Sequence, residues 1–157
     1  MMYLTLKLIH ILSAIVLFGL GSGTVFFKVM ADKSGNHEAI AVTSRHVVLA
    51  DLWFTTPTVI IQPLTGVLLA QELSARLTDV WLVWSLVLYL ITGLCWLPVL
   101  VLQIRMRDIA EQSLALGLPL PSIYRHYARV WLGLGVPAFF GMIGITTLMV
   151  FHGSLWS

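Results

Sequence analysis

Charge is the scarcest commodity in this chain. Of 157 residues, 10% are Asp, Glu, Lys or Arg while 59% are hydrophobic, and the mean hydropathy is +0.94. A soluble domain carries about a quarter charged residues, so there is too little polar surface here to face water, and the chain reads as an integral membrane protein. The net charge of +2 comes with no basic stripe, which argues against nucleic acid as a partner. The single cysteine, Cys95, excludes an internal disulfide and a cysteine-based metal cluster, and its place in an apolar run makes it a small hydrophobe. Neither HxxxH nor HExxH occurs, the methionines are scattered rather than clustered, and no nucleophile signature is present. Lysine is absent after Lys33.

What is there is apolar length. A bilayer core takes about 20 helical residues to cross, and four stretches qualify: 4–27, 52–70, 80–102 and 130–151. The first is longer than the h-region of a signal peptide and is expected to be retained as a membrane helix. With only helices or closed barrels able to satisfy the backbone in lipid, the expectation is an all-α, up-down-up-down four-helix membrane bundle forming one domain over 1–157.

Basic residues set the orientation. Lys28, Lys33 and Arg45 fall between the first two spans and Arg105, Arg107, Arg125 and Arg129 between the last two, against Lys7 and Arg76 on the opposite side. Both termini are expected outside and the longer connections in the cytoplasm of a bacterial inner membrane. These connections keep helical periodicity, so helices two, three and four should project beyond the bilayer by two to three turns. Gly117, Pro119 and Pro121 mark a stop and restart, and Trp53, Trp81, Trp84, Trp131 and Trp156 read as an interfacial aromatic belt.

Ionisable and polar residues inside the spans are the candidates for function. His10 shares a helix face with Ala14, Leu17 and Gly21, small neighbours that leave room for a flat macrocycle, so His10 is a candidate axial or metal ligand. Gly19 and Gly23 on the other face suit close helix packing. Lys7 is expected to snorkel to the headgroups. His152, on the same side of the membrane as His10, is a candidate second ligand. His46 and His126, at similar depth on the other side, form another candidate pair, each with a neighbouring arginine (Arg45, Arg125) suited to a propionate or a lipid phosphate. A second kind of site is a polar pocket from Thr55 and Gln62, in a helix kinked by Pro57 and Pro63, with Gln103 at the inner boundary of the third span.

Four segments, LKLIHILSAIVLFG, DLWFTTPTVIIQPLTG, WLPVLVLQIRMRD and YRHYARVWLGLGVPAF, resemble an uncharacterised bacterial family of small integral membrane proteins across nearly the whole chain. The first helix is also similar to those of HemJ-type protoporphyrinogen oxidases and CopD-type copper-resistance proteins. The HemJ resemblance implies haem b bound through His10, although the later-helix lysine on which those enzymes depend has no counterpart here. Two functions follow as expectations. One is a haem b redox protein working with an electron-transfer partner or as a homo-oligomer. The other is a non-redox membrane module, a partner subunit or small-molecule carrier, with its site around Gln62.

Overall fold

A computed structural model describes residues 1–151 in full and the helical backbone of 152–155; the His152 side chain and Trp156 lie outside the described residues. The chain forms α1 (Met2–Ser34), α2 (His37–Ala50), a π-helical turn (Asp51–Thr55), α3 (Thr56–Glu72), α4 (Val80–Leu116) and α5 (Ser122–Leu155). Because α2, the π turn and α3 run on as one rod, the described residues form four rods long and apolar enough to cross a bilayer, arranged up-down-up-down.

The breaks fall where backbone chemistry requires them. Gly35 takes the left-handed conformation (φ 66°) and closes α1 by donating its N–H to Asp32 O, and the Asn36 side chain then caps α2 by accepting from Ala39 N at 3.0 Å. Gly117 (φ 64°) ends α4 in the same way before the proline-bearing turn. The π turn is a consequence of Pro57. Lacking an N–H, Pro57 cannot serve the carbonyl of Trp53, and the helix widens by one residue so that Thr56 N–H reaches Asp51 O. The Thr58 hydroxyl bonds the carbonyls of Phe54 and Thr55 within the same region.

The extensions are longer than expected on two helices. α2 supplies 14 residues before the π turn, and α4 runs on to Leu116, so each is continuous helix for about four turns past the expected span at 3.6 residues per turn. They are long because they carry the core: Ala31, Ile40, Ala41, Met106, Ala110 and Tyr124 pack together at this extension end. α1 packs mainly on α3 and α4 mainly on α5, so the rods form two pairs. The α4–α5 pair is close because α5 presents glycine. A Cβ at Gly141 would overlap the Thr92 hydroxyl, and one at Gly144 would meet Leu88 Cδ1 at 3.2 Å. The expected packing on Gly19 and Gly23 is not found within the chain, since nothing lies within 4 Å of a Cβ at either position. That face points outward beside exposed Ile15, Phe26 and Phe27, as a lipid-facing surface does.

Trp53 and Trp84 are exposed at 74% and 53%, as an aromatic belt requires. Trp131 departs from that expectation. It is 3% exposed and belongs to the core.

Candidate functional site

Three polar constellations occupy the interior. The first joins α1 to α3 around His10. Gln62 Nε2 donates to His10 Nε2 at 3.2 Å, which leaves the ring proton on Nδ1, where it is donated to Thr65 Oγ1 at 2.8 Å. The Thr65 hydroxyl in turn donates to Ile61 O at 2.8 Å, and the Ser13 hydroxyl donates to Gln62 Oε1. Gly66 lets the two helices close, since a Cβ there would stand 3.3 Å from His10 Cε1. His10, Ser13, Leu17 and Gly21 do form an inward face, as their spacing predicts. The outcome is a network with each member satisfied.

Such a network bears directly on haem. An axial ligand offers iron a ring-nitrogen lone pair, and here Nε2 is spent on Gln62 while Nδ1 carries the proton given to Thr65. The space beside the ring is about 40 Å³, room for a few waters and not for a macrocycle. The residues around His10 therefore do not fit haem in this arrangement. His46, His126, Arg45 and Arg125 are exposed on the extensions. Arg45 pairs with Glu111 at 2.7 Å, and none of the four lines either cavity. Among the described residues no three His, Cys, Asp or Glu side chains gather as a metal site would need. Lys7 is exposed, 5.7 Å from the centroid of the Tyr3 ring, consistent with an interfacial position.

The second constellation was not foreseen. Lys28 is 2% exposed, and its Nζ donates to both carboxylate oxygens of Asp32 (2.6 and 2.8 Å) and to the Tyr124 hydroxyl. Tyr124 donates to Asp32 Oδ1 at 2.7 Å, so the start of α5 is clamped to α1 at the extension end. The i, i+4 spacing of Lys28 and Asp32 was the available signal.

The third constellation is a cavity of about 500 Å³ between the two helix pairs. Its wall is apolar and aromatic, with Phe18 of α1 and Phe139 of α5 meeting across the seam at 5.2 Å between centroids. Among the described residues four buried polar atoms have no hydrogen-bond partner, Thr92 Oγ1, Trp96 Nε1, Gln103 Oε1 and Trp131 Nε1; their residues contribute to this wall, while the atoms themselves are packed against protein. Asp51 and Thr55, hydrogen-bonded to each other at 2.8 Å, line the same space. Thr55 and Gln103 line the same cavity, while Gln62 lies outside it in the His10 cluster. Positions 92, 96, 99 and 103 recur at spacings of four, three and four, one stripe of α4. The spacing of that stripe is legible in the sequence, whereas Trp131 reads there as a belt residue.

Tyr89 stands between the two cavities and lines both. Its hydroxyl donates to Val59 O, the carbonyl that residue 63 would serve were it not proline.

The chain belongs to the family described as predicted integral membrane protein (DUF2269), whose model matches residues 4–152. No curated protein and no solved structure matches it.

Proposed function

We propose that this protein is a non-redox, membrane-embedded binding module, a carrier or an accessory subunit, that holds a lipid-soluble molecule with a small polar group in the cavity between its two helix pairs. One observation carries the reading: a cavity of about 500 Å³ with an apolar and aromatic wall has the buried Asp51 carboxyl, bonded by Thr55, at one end. Binding sites for small molecules combine such an apolar wall with a few placed polar groups. Haem ligation by His10 is no part of this reading, because the ring nitrogens of His10 are committed to Gln62 and Thr65.

The Lys and Arg bias would put the extension end in the cytoplasm. The cavity, lined by Asp51 and Gln103 at that end and by Phe139 and Met142 deeper in, would then lie in the inner half of a bacterial cytoplasmic membrane, reached from lipid between α1 and α5.

Gly93 and Gly135 line the cavity, and neither has a heavy atom within 4 Å of an added Cβ. Leucine at both positions would therefore fill the space without a clash at Cβ. Native mass spectrometry of wild-type protein should show a retained small-molecule adduct that the Gly93→Leu/Gly135→Leu variant loses while remaining folded. The same adduct profile in both proteins would overturn the reading.

A further inference from the structure

We infer that the cavity takes an amphiphilic organic amine, whose ammonium group pairs with Asp51 and displaces a proton from its carboxyl. This rests on the cavity being a binding site and adds the charge of its occupant.

Asp51 is 4% exposed. The side chains that bond it, Thr55 and Gln103, are neutral. Among the described residues no Lys, Arg or His lies within ion-pair distance of it, and the charges on each packed element are engaged elsewhere or face outward. On α1, Lys28 is held by Asp32 and Tyr124. On α2, Arg45 pairs with Glu111 and His46 is exposed. On α4, Arg107 pairs with Asp108, Arg105 is exposed, and the Tyr89 hydroxyl is given to Val59 O. On α5, Arg125, His126 and Arg129 are exposed.

A carboxylate in that position is costly unless something neutralises it. Two things can: a proton, or a cation entering the cavity. The carboxyl holds one or the other, which makes the site an exchanger. In the exchange the Asp51 O–H bond breaks, its proton leaves to solvent, and an R₂NH₂⁺ group takes its place beside the carboxylate. No electrons move.

An ammonium N–H supplies both the charge and the hydrogen-bond donor that the Asp51 carboxylate takes. A fatty acid would set a second carboxylate against Asp51 and is disfavoured. The apolar and aromatic wall takes the body of the molecule.

Propranolol, a secondary ammonium with a hydroxyl, an ether oxygen and a naphthyl body, is the probe, and its neutral diol analogue is the control. Calorimetry with the full chain in phosphatidylcholine nanodiscs should show propranolol binding more tightly than the diol. Its affinity should rise by up to about tenfold per pH unit while the proton competes, with roughly one proton released per ligand into weak buffer. Asp51→Asn should weaken propranolol binding by at least about 30-fold, as expected on removing one partner of a buried charge pair, and leave the diol unaffected. Equal binding of the two probes without proton release would overturn the amine assignment and leave the cavity reading standing. Failure of both probes to bind would overturn the two together. The wild-type comparison decides the matter even if the Asn variant does not fold.

Discussion

Tyr89→Phe is the change whose consequence follows most directly from the backbone. Pro63 has no N–H, so the α3 carbonyl four residues earlier, Val59 O, has no helical donor. The Tyr89 hydroxyl reaches across from α4 to fill it. Phenylalanine keeps the ring and its packing but leaves the carbonyl unpaired in a low-dielectric interior, a cost of about 1–3 kcal/mol. Restoring the N–H from within α3 by Pro63→Ala should remove the need for the hydroxyl, so the losses are coupled rather than additive. In a double-mutant cycle, Tyr89→Phe should lower stability by about 1–3 kcal/mol in the wild-type background and by under about 0.5 kcal/mol in Pro63→Ala, where non-additivity marks a shared partner. Reversible denaturation in mixed micelles, followed by circular dichroism, measures all four corners. An equal cost of Tyr89→Phe in both backgrounds would refute the assignment of that hydroxyl to the proline-vacated carbonyl.

The other expectations test the remaining interior polar groups. Lys28→Met leaves the Asp32 carboxylate without its cation and should cost about 3–5 kcal/mol in the same denaturation assay; the triple change Lys28→Met/Asp32→Leu/Tyr124→Phe, which removes every charge of the clamp, should cost less than Lys28→Met alone. Protein purified from haem-replete cells should show no Soret band in an oxidised-minus-reduced spectrum. One haem per chain, lost in His10→Ala, would require His10 to leave Gln62 and Thr65 and would refute the network described for it.

The fold was legible because lipid imposes it. Four apolar runs with punctuation such as Gly35 and Gly117 leave little choice once every backbone group must be satisfied within the chain. The inward face of α1 was equally readable, since Ala14, Leu17 and Gly21 follow His10 at helical spacing. What a single helix cannot disclose is its partner across the bundle. His10 and Gln62 each read as a candidate site because nothing in either segment says that the two are hydrogen-bonded to each other. Trp131 sits where a belt tryptophan would sit, yet its ring turns inward, a matter of helix rotation set by α1 and α4. Lys28 counted only as a positive charge for orientation, although its i, i+4 partner Asp32 showed that it was not free. The π turn follows from Pro57, but whether a proline kinks, slips the register or borrows a donor depends on what stands opposite.

The distribution of packing ties these features together. The buried apolar core and the Lys28–Asp32–Tyr124 clamp sit at the extension end, where four rods are held in one arrangement. Towards the termini the α1–α3 and α4–α5 pairs are each closed by close contacts, His10 on Gly66 in one and Thr92 on Gly141 in the other, and Tyr89 of α4 bonds Val59 O of α3 across them. The cavity lies between the pairs nearer the extension end, where Asp51 and Gln103 line it. Separating the pairs near Phe18 and Phe139 would expose apolar surface to lipid rather than to water, which removes the hydrophobic penalty that such a motion carries in a soluble protein. The basic-residue bias would place the extension end in water, where its apolar core has to stay closed. Lipid therefore tolerates an opening at the Phe18–Phe139 seam that water would penalise at that core.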